Sequence, residues 1–214
     1  MSELSVGLAT DGALAWCNRA VLADHYLHKL PDPRARRMTY VLRLGDDLVG
    51  TVMLGIPHAT KCATWWGYPG LPTQWQVVDL CRIYLHPDVQ RGGCLCDSGR
   101  LPGFVDRHGV WRSSLATWTI QTVLARVQRD RVALWPPVYP DQPYHIRLAV
   151  SYHDPQYHNG AIYRHSQAQP MYRDGSGQPT PGSSGKYGWC WQLEQPTWTW
   201  HDLTEINPRT MRMF

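Results

Sequence analysis

The chain has almost no phenylalanine: two residues out of 214, against 11 Trp and 11 Tyr. It also lacks any apolar run close to the roughly 18 residues that a spanning helix requires, which argues against a membrane-spanning helix. No linker-like tract divides the chain before residue 174, and no internal repeat is visible, which favours one domain over two. Met1-Ser2-Glu3-Leu4 shows neither a basic n-region nor an apolar h-region. The expectation is a cytoplasmic protein. The six cysteines, at 17, 62, 81, 94, 96 and 190, are then expected to be reduced thiols.

What is present is a surplus of flat rings with a polar handle. Trp and Tyr suit wet binding surfaces better than Phe does. The bland account is the codon usage of a GC-rich genome. The hydrophobic share of 43% and the charged share of 18% are those of a globular chain with a real core. The net charge of +4 is compatible with a polyanionic partner and does not demand one.

Apolar positions between 12 and 30 predict a helix that stops before Pro31-Asp32-Pro33. Met38–Leu44 and Leu48–Ile56, separated by Gly45-Asp46-Asp47, predict a hairpin. Gln76–His86 predicts a long strand with Val77, Asp79, Cys81, Ile83 and Leu85 on one face. A Gly-rich loop follows from Pro87 to Trp111. An amphipathic helix is expected over Ser113–Arg129 and a strand over 146–152. Ala161–Gln167 reads as a short helix or strand. Arg173–Gly188 reads as flexible, and the Trp-rich tail as one last strand. A strand, a helix and then a strand make a βαβ unit, so a mixed α/β sheet is expected.

Two stretches carry possible chemistry. In Gln90-Arg91-Gly92-Gly93 an Arg and glycines follow a strand, a way of presenting backbone N–H groups to phosphate. This resembles the pyrophosphate arm of the GCN5-related N-acetyltransferases, although the glycines are displaced and the next helix is distant. The alternative is a surface loop. In Ser151–Tyr163, two His, one Asp and three Tyr lie at and just past a strand end, where ligands bind in open α/β sheets. The alternative there is a polar turn in which Asp154 and Asn159 cap local backbone.

An ordered set of motifs bears on that choice. It comprises Asp24-His25-Tyr26-Leu27-His28; Val49-Gly50-Thr51-Val52 with Gly55-Ile56-Pro57; Val78-Asp79-Leu80-Cys81-Arg82-Ile83-Tyr84; and Ser151-Tyr152-His153-Asp154 through His158-Asn159-Gly160-Ala161-Ile162-Tyr163. Over residues 20–172 the set resembles the Mom family of phage DNA-modification proteins. That resemblance implies a GCN5-related N-acetyltransferase-like fold: a mixed, mostly antiparallel central sheet flanked by helices. Residues 1–172 would form the catalytic domain. Residues 173–214 would be a Gly/Pro-rich segment and a Trp-rich tail packing on the same domain.

The resemblance also implies a function. A small acyl-derived group would be transferred to the exocyclic N6 amine of adenine in double-stranded DNA, hiding phage DNA from host restriction enzymes. His25, Tyr26, Ser113, Asp154 and Tyr163 would be catalytic, with Ser114 the alternative to Ser113. Arg82, Gln90, Arg91, Gly92 and Gly93 would serve an acetyl-CoA or related acyl donor. Arg34, Arg36 and Arg37, with Ser114, would face DNA. An associated iron would draw its ligands from His25, Asp154 and His158, with His153 as a further source of imidazole. Asp154 or His25 would act as base, and Tyr26 or Tyr163 as proton donor or oxyanion holder.

The sequence departs from the family pattern in four places. Residues 92–111 look inserted, Asp79 stands where Glu is more usual, Asn159 precedes Gly160, and the ending from Gly175 differs. Cys94-Leu95-Cys96-Asp97 with His108, inside the insertion, is a weak metal candidate. Two other readings remain open. One is an acyltransferase acting on an amine of another hypermodified base. The other is a non-catalytic DNA-binding module of the same fold. A monomer and a homodimer are both compatible with the sequence.

Overall fold

The computed structural model describes residues 4–32, 37–57, 76–90, 104–105, 111–112, 115–134 and 146–193. In chain order these form β1 (Leu4–Leu8), α1 (Asp11–Asp24), β2 (Arg37–Leu44), β3 (Asp47–Gly55), β4 (Val77–Leu85) and α2 (Pro87–Gln90). Then come β5 (Phe104–Val105), β6 (Trp111–Arg112), α3 (Leu115–Leu134), β7 (Leu148–His153), α4 (Ala161–His165), β8 (Gln169–Pro170) and β9 (Tyr187–Gln192). Seven strands make one sheet in the order β1-β2-β3-β4-β7-β9-β8, and β5 pairs with β6 separately. Within the large sheet, β4 and β7 run parallel and the other neighbours run antiparallel. The mixed, mostly antiparallel α/β architecture expected from the sequence is the one observed.

The sheet is covered on both faces, and this explains its sequence. β3 reads Leu-Val-Gly-Thr-Val-Met-Leu with nearly every position buried, because neither face meets water. On one face Cys17, Ala20 and Val21 of α1 pack on Val41, Met53 and Tyr84. On the other, Leu115, Ile120, Val123, Leu124 and Val127 of α3 pack on Tyr40, Leu42, Val52, Leu54 and Leu80. Among the described residues no helix is long and apolar enough to cross a membrane.

Four local features differ from the sequence expectation, three of them for identifiable physical reasons. First, α1 ends at Asp24 rather than near Leu30. His25 is extended, and its ring Nδ1 accepts the amide N–H of Leu27 at 3.1 Å. That side chain takes a donor that continued helix would have used. Second, β4 does not keep one face. Met53 pairs with Arg82 and Leu54 with Leu80, so Cys81 is an unpaired bulge. A bulge reverses the alternation of every residue beyond it. Leu80 and Leu85 therefore share the α3 face although an even–odd count separates them, while Tyr84 turns to α1.

Third, Arg173–Gly188, expected to be flexible, is a folded turn system. One carboxylate oxygen of Asp174 accepts the amides of Ser176 and Gln178, each at 2.9 Å, and the Ser176 hydroxyl at 2.7 Å. The chain then enters β9, which pairs with both β7 and β8 and puts Trp189 and Trp191 into the core. Fourth, β1, absent from the sequence reading, forms the edge beside β2. Arg126 of α3 donates to the carbonyl of Val6 there.

Candidate functional site

β4 and β7 part company soon after they meet. They pair at Val77–Leu148, Val78–Ala149 and Asp79–Val150, after which β4 continues to Leu85 and β7 to His153 without pairing to each other. Ser151 spans the start of this cleft. Its hydroxyl donates to the carbonyl of Leu80 at 2.9 Å, and it lies 3.2 Å from the hydroxyl of Tyr163. A carbonyl only accepts and Ser151 has one proton to give. The proton of the second bond therefore comes from Tyr163. Burial pushes the Tyr163 phenol up to about 12, and it stays protonated at neutral pH.

Above the cleft, two segments distant in sequence meet. The first is His25-Tyr26, just past α1. Two side chains of β4 tie this segment down. Tyr84 donates its hydroxyl to Asp24 at 3.2 Å, and Arg82 donates Nε–H to the carbonyl of Lys29 at 2.8 Å. Arg82 also donates from Nη1 to the carbonyl of Cys81 at 2.5 Å. Its guanidinium is thus committed at two nitrogens to holding backbone, and its charge acts on both His25 and Tyr26.

The second segment is the turn after β7. Asp154 accepts the amide of Gln156 on its carboxylate at 3.0 Å, and Asn159 accepts the amide of Ala161 on its side-chain oxygen at 3.0 Å. The capping roles considered from sequence are therefore filled. They leave Asp154 near Tyr26, whose phenol it helps to raise.

The rings of the two segments interlock. His25 stacks on Tyr26 at 4.5 Å between centroids, and Tyr26 on Tyr157 at 4.6 Å. His158 meets Tyr26 edge-on at 6.0 Å. From His158 the contacts run inward to His153 at 4.8 Å and to Tyr163 at 5.9 Å. His153 in turn stacks on Tyr187, Tyr163 and Trp189. Trp189 donates its indole N–H to Nδ1 of His153 at 2.7 Å. Gly160 closes the group. Its φ is +71°, and a Cβ there would come within 2.5 Å of the His153 ring, so both backbone and space require glycine.

Protonation divides the labour among these groups. Burial, then Arg82, lowers His25 to about 4. Burial, then His158, lowers His153 to about 4. Burial also lowers His158, against the pull of Asp154. Burial raises the Tyr26 phenol. At neutral pH the imidazoles are neutral and Tyr26 is a phenol. Because Nδ1 of His25 accepts from Leu27, its proton resides on Nε2. His25 is a hydrogen-bond donor in this arrangement, whereas the sequence allowed it to be a base.

The same bonds bear on iron. A neutral imidazole that accepts at Nδ1 and carries its proton at Nε2 has no lone pair left for a metal, and this holds for His25 and for His153. Among the described residues no three His, Cys, Asp or Glu side chains lie close enough to share an ion. The donor set does not fit the expected iron.

The structure brings together His25, Tyr26, Arg82, Asp154, His158 and Tyr163. Arg37 starts β2, where its Nη2 donates to the Asn18 side chain at 3.3 Å. Gln90 ends α2. Arg34, Arg36, Arg91, Gly92, Gly93, Ser113 and Ser114 lie outside the described residues, as do Cys94, Cys96, Asp97 and His108. Sequence reading missed Tyr157, Tyr187 and Trp189. Tyr157 lies inside the Ser151–Tyr163 block but at no position of the recognised motif. Trp189 lies in a tail that resembles nothing in the family.

No protein-family model and no curated protein sequence matches this chain. Among solved structures it is similar to an acetyltransferase from Bacillus subtilis in complex with CoA. The identity is 12%, the match covers 90% of this chain and 100% of that one, and the TM-score is 0.43. It is also similar to an acetyltransferase from Thermus thermophilus, at 16% identity, covering 90% of this chain and 99% of that one, with a TM-score of 0.38.

Proposed function

We propose that this chain is a transferase of the GCN5-related N-acetyltransferase-like class that adds a small acyl-derived group to N6 of adenine in DNA, in the manner the Mom-like motifs imply. One observation carries the reading. Motifs that define the resemblance, separated by more than half the chain, converge on one place: His25-Tyr26 past α1, Arg82 on β4, and Asp154, His158 and Tyr163 past β7. That place stands at the mouth of a cleft between two parallel strands, where α/β sheets bind ligands.

The cleft suits an extended acyl-CoA donor, because β4 and β7 both run on beyond their last shared pair and present backbone to the gap. The donor would supply a thioester carbonyl as electrophile. The residues do the rest. N6 of adenine is a poor nucleophile until its proton is removed, and Asp154 and His158 are the acceptors at hand. His25 Nε2–H and the Tyr26 phenol are neutral donors positioned for developing negative charge and for returning a proton to the leaving sulfur. The new N–C bond replaces the C–S bond, and the proton lost from N6 balances the one gained by the thiol.

A paired adenine hides N6, so the base must leave the stack and be held by flat side chains. Tyr26 and Tyr157 are such side chains. Double-stranded DNA is the partner in this reading, and protection of phage DNA from restriction its role.

The test is to express the intact chain in bacteria, digest their DNA and weigh the nucleosides. The expected result is a heavier deoxyadenosine with the wild-type chain and ordinary deoxyadenosine with Asp154→Ala. Ordinary nucleosides in both would refute the reading, and a heavier pyrimidine would move the target to another base.

A further inference from the structure

Tyr157 is the exposed ring among those at this site that the motifs do not account for. It is 57% exposed, an unusual setting for a ring so well stacked. The turn that carries it is held by bonds internal to it: Tyr157 N–H to the carbonyl of Asp154 at 3.1 Å, His158 N–H to the same carbonyl at 3.3 Å, and Gln156 N–H to the Asp154 carboxylate. Its partner Tyr26 is fixed. The opposite face of Tyr26 lies on His25, and the segment is pinned by Arg82 and Tyr84. One plate is thus rigid, and the other rides on a surface turn.

From this we infer that Tyr26 and Tyr157 are the two plates of a clamp that opens to take one unpaired nucleobase between them. The inference rests on the DNA-base reading above and specifies how the base is held. A base laid on the outer face of Tyr157 would be separated from Tyr26 by a whole ring. A base inserted between the two rings contacts Tyr26 directly and places its edge beside His158 and Asp154. Insertion requires the turn to move outward by about one ring thickness, roughly 3.5 Å. The locally bonded turn can do this without breaking the sheet. A purine offers more stacking face than a pyrimidine, so purine is preferred.

The test uses the intact chain and a short single-stranded oligothymidine with one central 2-aminopurine, whose emission is quenched when it stacks on an aromatic side chain. Wild type is expected to quench it saturably. Tyr157→Phe and Tyr157→Trp keep a flat ring and should bind close to wild type. Tyr157→Ala should lose the quenching and bind about tenfold more weakly, the scale of one base–aromatic stack. Its melting temperature should not change, because the ring is exposed.

Equal binding by Tyr157→Ala and wild type, or no quenching by wild type, overturns the clamp. Nucleoside masses from expressing cells separate the two proposals. Heavier deoxyadenosine with a Tyr157-independent oligonucleotide affinity removes the clamp and keeps the transferase. Tyr157-dependent quenching without any heavier nucleoside does the reverse.

Discussion

Two groups of aromatic rings meet at His158, one packed into the core and the other reaching the surface. The inner group is His153, Tyr163, Tyr187 and Trp189. Apart from half-buried Tyr187 its members are almost fully buried, and the polar atoms of the other three are paired within the protein: indole to imidazole, phenol to Ser151, Ser151 to Leu80. The outer group is His25, Tyr26 and Tyr157. It is stacked and graded in exposure, with His25 buried, Tyr26 half-buried and Tyr157 exposed. A ring whose hydrogen bond is already made inside the protein contributes to folding. A ring with a donor directed at a cleft contributes to chemistry. Under the proposed function, Tyr163 holds the β4–β7 cleft in shape and Tyr26 is the phenol that transfers the proton.

The largest effect expected at the inner group comes from Trp189→Ala. It removes a fully buried indole and leaves the His153 acceptor without its donor. A loss of about 3–5 kcal/mol in denaturant unfolding is expected. A loss below about 1 kcal/mol would show that the inner group is not structural. At the outer group and beside it, Tyr26→Phe and Asp154→Asn should leave thermal unfolding within about 0.5 kcal/mol of wild type. Each should lower the content of modified adenine by about 10²–10⁴ in rate. Gly160→Ala comes next, at about 1–3 kcal/mol, because it combines a left-handed backbone with a contact on the His153 ring. Tyr163→Phe should cost about 1 kcal/mol for one buried hydrogen bond, while modification continues.

The last effect is a pH dependence of stability. His25 and His153 fall to about 4 in the folded chain from an ordinary 6.5. Between those values the unfolded chain binds more protons, so stability is full above pH 6.5 and declines as pH falls toward 4. His25→Gln should flatten part of that decline in a urea series, and His153 should account for the rest. No change in slope would mean that burial does not hold these rings neutral.

Much of the scaffold was legible in the sequence, because hydrophobic patterning and turn residues are local signals. The Met38–Leu44 and Leu48–Ile56 hairpin, the long strand, the following helix and the strand before Ser151 all appear, within a few residues of their expected bounds. What was not legible depends on contacts between distant residues. The Cys81 bulge has no side-chain signature and shows only as a register shift against β3. The end of α1 is set by a ring nitrogen of His25 taking the Leu27 amide.

Trp189 follows a segment whose Gly/Ser content suggests flexibility, yet Asp174 folds the turn that delivers it into the sheet. At the site, the motif residues were identifiable by type, but their roles required tautomers and partners. Only the Leu27 bond makes His25 a donor, and only Ser151 removes the Tyr163 proton from reach. Tyr157 carried no motif, and its place in the stack is visible only once α1 and β7 are brought together.

The most direct test of this division is the fraction of modified adenine in DNA from bacteria expressing Tyr26→Phe or Tyr163→Phe, two changes that each remove one oxygen from one ring. Modified adenine is predicted with Tyr163→Phe, and none above background with Tyr26→Phe. Modification by Tyr26→Phe and its loss in a folded Tyr163→Phe would contradict the division.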